Sequence, residues 1–270
     1  MYLDWMIYLL TGVFTGLFAG LLGVGGGVIA VPILILDFQY HHLFANDYIM
    51  HAAAATSLAA MILTSGSSAL AYQRRGALMW PIFWRVFPGL VIGLALGVVV
   101  TKYLDNALLV DLFAIFLVII ALDLMLYPKG RIQSSRQPRK LSFRTMFATS
   151  LVVGVLTMCF GIGGGVLLVP LFLFMGLSMH QASGTSSLCG VLVALTGTVL
   201  MTLLGLWDES NQIYPWGTVG YVYWPAAFCL AMTSVISAPL GTQLSFNLST
   251  VTLKRLFALL LMISVWNLLT

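Results

Sequence analysis

Charge is scarce in this sequence. Asp, Glu, Lys and Arg make up only 7% of the 270 residues, against about 25% in an ordinary soluble domain. Hydrophobic residues reach 60% and the mean hydropathy is +1.03, so most of the chain must face lipid or other apolar helices. Several runs reach the roughly 20 residues needed to cross a hydrocarbon core of about 30 Å. The net charge of +4 is concentrated in one segment, and nucleic acid is not an expected partner. Cysteine is scarce too. Cys159, Cys189 and Cys229 lie in apolar segments without C-x-x-C spacing, which argues against a disulfide framework or a zinc site and suits small buried apolar residues. Also missing are a Ser–His–Asp arrangement, a metal-ligand cluster and a phosphate loop of the G-x-x-x-x-G-K type. No catalytic residue, metal or cofactor is therefore assigned, and an enzyme is not expected. The opening MYLDWMIYLL has no basic n-region and no A-x-A-type cleavage site, so the first segment is expected to be retained.

What is present is a series of ten apolar segments, near 5–22, 27–38, 52–72, 81–101, 107–127, 145–160, 165–176, 184–205, 222–243 and 251–269. Between the fifth and sixth lies PKGRIQSSRQPRKLSFR, residues 128–144, with six of the twelve basic residues and no acidic one. The two sides of this linker repeat one another. GVGGGVIAVP from Gly23 matches GIGGGVLLVP from Gly161, at an offset of 138. ATS at 55–57 matches TSS at 185–187 at an offset of 130, while GALMWP from Gly76 matches GYVYWP from Gly220, and LFA at 112–114 matches LFA at 256–258, both at 144. Four collinear matches with differing loop lengths indicate a duplicated five-segment unit.

Lys and Arg collect on the cytoplasmic side of membrane proteins. The linker is then inside, as are Arg74, Arg75, Lys254 and Arg255, whereas His41, His42, Asp47 and the stretch WDESNQIY from Trp207 are outside. Five segments per unit is an odd number, so the second copy must be inverted. Lys102 falls on the other side and can snorkel from a helix end. The expected fold is an all-α polytopic membrane protein of two inverted five-segment repeats, 1–127 and 145–270, joined by the basic cytoplasmic linker 128–144, with both termini outside.

The glycine clusters break apolar sequence twice. Glycine in a helix interior costs about 1 kcal/mol relative to alanine, yet four stand between residues 23 and 27. The piece from Val28 to Phe38 covers only about 16 Å at 1.5 Å per residue and cannot span. It and its counterpart from Val166 to Met175 are expected to be re-entrant half-helices, a construction common in secondary transporters. Irregular backbone at that depth must be buried in protein or line a cavity. A helix start there offers unpaired N–H groups and a positive dipole end, which suit an anion. Hydroxyl patches at 55–58, 64–68, 183–188 and 196–198 can add donors without fixed charge. Thr196 and Thr198, and the glycines at 12, 16, 20 and at 89, 93, 97, suit close helix packing instead.

Paired G-x-GGG-x-x-x-P elements, each followed by a TS-type segment, resemble the TauE/SafE sulfite-exporter family of membrane transporters over residues 5–269. The resemblance implies secondary transport of a sulfur-containing anion such as sulfite, sulfoacetate or another organosulfonate, driven by an ion gradient, with proton or sodium as the coupling ion. It further implies the cytoplasmic (inner) membrane of a prokaryote, with the lipid bilayer and a small anionic substrate as partners. The implied binding residues are Gly25, Gly26, Gly27, Thr56 and Ser57 in the first half and Gly163, Gly164, Gly165, Thr185, Ser186 and Ser187 in the second. AAAATS stands where the second copy has ASGTSS, so the second half is the more polar. His51 and His180 precede the hydroxyl patches and are candidates for proton coupling. Arg85, Asp111 and Asp123 lie near segment ends, where snorkelling accounts for them, and Asp37 is expected to face the outer mouth. Two other readings stay open: an anion channel on the same scaffold, and a thiol or soft-metal handler using Cys159, Cys189 and Met158. The oligomeric state is left open.

Overall fold

The computed structural model describes residues 2–126, 142–207, 215–248 and 262. Nine of the expected segments are helices: α1 (Tyr2–Leu22), α2 (Gly27–Tyr40), α3 (Ile49–Gln73), α4 (Trp80–Tyr103), α5 (Asn106–Leu126), α6 (Phe143–Phe160), α7 (Gly165–Phe174), α8 (Met179–Trp207) and α9 (Trp224–Asn247). The segment at 251–269 and nearly all of the linker lie outside the described residues. Six helices, α1, α3, α4, α6, α8 and α9, are long and apolar enough to cross a membrane. The 14 residues of α2 and 10 of α7 reach only about 21 and 15 Å, short of a hydrocarbon core of about 30 Å.

One element departs from the all-α expectation. Thr218–Val219 (β1) and Val222–Tyr223 (β2) form an antiparallel hairpin where a helix was expected from 222. Gly220 turns it at φ 59°, and the tip presses on α8, since a Cβ on Gly220 would lie 2.3 Å from the Thr202 carbonyl oxygen. Helix α9 starts only at Trp224, with Pro225 in its first turn, where a fixed φ and a missing N–H cost nothing.

Small residues decide which helices touch. Gly12, Gly16 and Gly20 of α1 lie against Leu230, Ser234 and Ala238 of α9 so closely that an added Cβ would come within 2.5, 2.5 and 1.9 Å of their carbonyl oxygens. Gly89, Gly93 and Gly97 of α4 meet Phe147, Leu151 and Val155 of α6 in the same way, at 2.6, 2.2 and 2.9 Å. This is the close backbone approach that drives association where lipid removes the hydrophobic contrast, as the glycine spacing predicted. Both pairs run parallel, because the contacts ascend together in number.

At the centre α3 and α8 run antiparallel. Leu58 lies against Gly197, Ser65 against Gly190 and Tyr72 against Gly184. Helix α2 packs on α3 and α7 on α8. The bulky apolar side chains left exposed, among them Trp84, Ile92 and Val99 on α4, Val199 on α8 and Ile236 on α9, form an outward apolar surface suited to lipid.

The ionisable residues sort by this packing. Arg85 and Asp111 are exposed, as expected for groups near segment ends; the side chain of Asp123 is outside the described set. Asp37 corrects an expectation. It is buried, not open at the outer mouth, because α1 covers the end of α2 and Tyr8 donates its phenolic hydrogen to the carboxylate. His41 Nε2 stands 3.8 Å from the same carboxylate.

Candidate functional site

Each glycine cluster closes one helix and opens the next. Gly23 donates its N–H to Ala19 O at 2.8 Å, finishing α1, and Gly161 does the same to Thr157 O at 2.8 Å, finishing α6. The chain then passes through Gly25 and Gly26 at φ 84° and 83°, or through Gly163 and Gly164 at 74° and 71°. Such left-handed backbone is open to glycine and strained for other residues. Gly26 and Gly164 are the N-caps of α2 and α7, and neither helix has a side-chain cap. The Gly26 carbonyl accepts from Ile29 and Ala30, and that of Gly164 from Leu167 and Leu168. The earlier amides, of Gly27, Val28, Gly165 and Val166, precede the reach of the intrahelical ladder.

The two turns meet. A Cβ on Gly27 would lie 2.5 Å from Gly161 O and 2.8 Å from Ile162 Cα; one on Gly165 would lie 2.4 Å from Val24 Cα and 2.5 Å from Gly23 O. Each turn is also held by a serine from the other half. Ser57 Oγ donates to Gly161 O at 3.2 Å, and Ser186 Oγ donates to Gly23 O at 2.9 Å.

The other predicted residues fall in matched places. Thr56 Oγ1 accepts the Tyr223 amide at 3.0 Å and Thr185 Oγ1 accepts the Met79 amide at 3.1 Å; these amides belong to the N-caps of α9 and α4. His51 Nε2 lies 3.1 Å from Thr101 O and His180 Nε2 lies 3.3 Å from Ser245 O. A carbonyl only accepts, so Nε2 carries the proton in both rings. His51 is buried among Tyr48 and Tyr221, while His180 stacks on Phe246, whose ring also meets the Arg75 guanidinium. Ser187 bridges to Ser68 at 3.1 Å and to Ser183 O at 3.0 Å.

These pairs correct the sequence register. Thr56 and Thr185, Ser57 and Ser186, and His51 and His180 are each 129 apart, not the 130 that aligned ATS with TSS. One residue turns a helix by about 100°, so the two registers send hydroxyls to different neighbours. The pattern H-x-A-x-x-T-S, present from His51 and again from His180, carries the correct register.

Two residues of the centre were not singled out by the sequence reading: Met61, and Ser65, which entered only within the hydroxyl patch 64–68. Met61 lies between the turns: a Cβ on Gly163 would be 1.9 Å, and one on Gly25 2.3 Å, from its Cε. Ser65 sits one helical turn further along α3, fully buried, and its Oγ has no hydrogen-bond partner. Position 61 invites reading as one more core methionine, and only the crossing of α3 over both turns distinguishes it. The cysteines are buried, and Cys159 Sγ accepts from Thr101 Oγ1 at 3.5 Å.

A chain whose described residues are nearly all helical, with six helices among them fit to span, a lipid-suited surface and two uncapped helix starts meeting in its interior, is a polytopic integral membrane protein. It belongs to the sulfite exporter TauE/SafE family, whose sequence profile matches residues 8–268. A probable membrane transporter protein of Haemophilus influenzae is 28% identical over 262 residues, 97% of each chain. The probable membrane transporter protein YunE of Bacillus subtilis is 28% identical, covering 97% of this chain and 96% of its own. MJ0441 of Methanocaldococcus jannaschii, also named a probable membrane transporter protein, is 25% identical over 90% of this chain and 87% of its own. No solved structure gives a significant match. Family membership makes the chain a membrane transporter and not an enzyme.

Proposed function

We propose that this transporter is a secondary carrier of a small sulfur-containing anion (sulfite, sulfoacetate or another organosulfonate) across the cytoplasmic membrane of a prokaryote. The observation that carries the reading is the meeting of two uncapped helix N-termini at Gly26 and Gly164. Each such end carries about half a positive charge together with unpaired amides. They supply positive potential without a Lys or Arg, which would cost about 2.5–3.5 kcal/mol at the membrane centre. Gly25, Gly26, Gly27, Gly163, Gly164 and Gly165 bring backbone close to the anion. Thr56, Ser57, Thr185, Ser186 and Ser187 place hydroxyls around it.

In this reading 1–127 and 145–270 are inverted repeats, and α2 and α7 are re-entrant. Support comes from the antiparallel crossing of the corresponding helices α3 and α8 and from the three matched hydrogen-bond pairs. Rocking of one repeat against the other would expose the site alternately. His51 and His180 are the coupling groups if the driving ion is a proton.

Purified chain in proteoliposomes should take up sulfite saturably, with a rate that follows an imposed pH or sodium gradient. Flux that stays linear in concentration and ignores both gradients would make the protein a channel; flux absent for every sulfur anion would remove the substrate assignment. Orientation has its own test. With the linker 128–144 cytoplasmic, a Ser134→Cys variant in intact cells should stay unlabelled by an impermeant maleimide until the cells are permeabilised. Immediate labelling reverses the topology.

A further inference from the structure

We propose that Met61 is a movable plug standing in the place of the anion, and that Ser65 is the hydroxyl that meets the anion when Met61 swings aside. The inference rests on the anion-carrier reading above; Met61 is new to the site, and Ser65 is singled out from the hydroxyl patch 64–68.

The thioether occupies a position that both glycine turns address. Its methyl lies where a Cβ of Gly25 or of Gly163 would project, at 2.3 and 1.9 Å, and its sulfur is 3.0 Å from the corresponding point on Gly27. Ser57 Oγ stands 3.9 Å from the same sulfur. A thioether is a weak acceptor and a poor partner for helix-start amides, so an anion competes with it on favourable terms. Methionine is unbranched, with three rotatable bonds beyond Cα, and vacates a position more readily than a β-branched or aromatic side chain.

Ser65 supplies an independent observation. It is wholly buried and its Oγ has no partner, an uncommon state for a buried hydroxyl. It lies 3.3 Å from the Cβ position of Gly25 and 3.0 Å from that of Gly190, on the same side as the Met61 methyl. The two halves differ here. At the 129 offset the counterparts of Met61 and Ser65 are Gly190 and Ala194, so α3 alone fills the space and α8 leaves room for what fills it.

Calorimetric titration of the full-length chain in micelles, at fixed pH, tests this with sulfite and benzenesulfonate as probes. Ser65→Ala should weaken sulfite by about tenfold or more, as expected for losing a hydrogen bond to a charged group. Met61→Ala should bind sulfite more tightly, because the competing side chain is gone, and should bind the bulkier benzenesulfonate at least about tenfold more tightly than the parent chain does. Met61→Ile, whose branched side chain resists rotation, should bind sulfite more weakly than the parent. Parent-like affinity and size range in all three would overturn the plug while leaving the carrier reading intact. A parent chain that binds neither sulfite nor benzenesulfonate would overturn both. If Met61→Ala does not fold, Met61→Ile still tests the plug, and Ser65→Ala, which removes a single oxygen, still tests the hydroxyl.

Discussion

Replacing Gly165 with alanine is expected to abolish transport and lower the unfolding temperature, although alanine is the better helix former by about 1 kcal/mol. The added Cβ would sit 2.4 Å from Val24 Cα and 2.5 Å from Gly23 O. Those are backbone atoms with no rotamer to change, and Gly23 O is held by Ser186. Relief requires the two turns to part, which dismantles the proposed site as well as the fold around it. Overpacking of a core costs about 1–3 kcal/mol where side chains can adjust, and here they cannot. Gly27→Ala should fail alike, against Gly161 O and Ile162 Cα. At Gly164 the obstacle differs: the nearest atom to a Cβ is Thr157 Oγ1 at 3.2 Å, but φ is 71°, so strain rather than collision excludes valine. Gly66 provides the control. Nothing lies within 4 Å of its Cβ position, and Gly66→Ala should leave stability unchanged or raise it by up to about 1 kcal/mol. Thermal unfolding and sulfite uptake measured on Gly165→Ala and Gly66→Ala side by side give the answer. Equal values would mean that the turns do not press together in the working protein.

Composition and spacing carry the large-scale organisation because lipid imposes it: apolar length marks a span, and glycine marks where a span breaks. The starts of α2 and α7 at residues 27 and 165 fall at the glycine clusters for that reason. The packing faces on α1 and α4 were legible too, since a glycine every fourth residue is one stripe of a helix. Neighbours across the fold were less so. The 130 offset followed identical letters, while the structure follows which hydroxyl reaches which carbonyl, and a single residue separates those criteria. Asp37 and His51 are buried by helices that arrive from elsewhere in the chain, which local hydropathy does not register. The roles of Met61 and Ser65 depend on α3 crossing both turns at once. That is a property of the assembled core, and no window of sequence contains it.

The serines that brace the turns set the second large effect. Ser57 and Ser186 each own a single donor hydrogen, and each gives it to a carbonyl of the opposite turn. An anion seated between the turns can take that hydrogen only by breaking the brace. In the proposed carrier, binding and loosening of the contact between halves are therefore one event. Truncation should act on both sides of this exchange. Ser186→Ala leaves Gly23 O without its buried donor, a loss of about 1–3 kcal/mol, and should lower the unfolding temperature of the ligand-free protein. The same variant loses a hydrogen bond to a charged group, worth roughly 1.5–3 kcal/mol before the brace it replaces is subtracted. At 1.4 kcal/mol per factor of ten, affinity for sulfite should fall by about one decade. Ser57→Ala should follow with a smaller effect on stability, since its bond to Gly161 O is longer, 3.2 Å against 2.9 Å. Calorimetry and thermal unfolding on the same preparations separate the two roles. A Ser186→Ala protein that is destabilised yet binds sulfite as tightly as the parent would make the serines braces alone, and the anion would then be held by the backbone amides of α2 and α7.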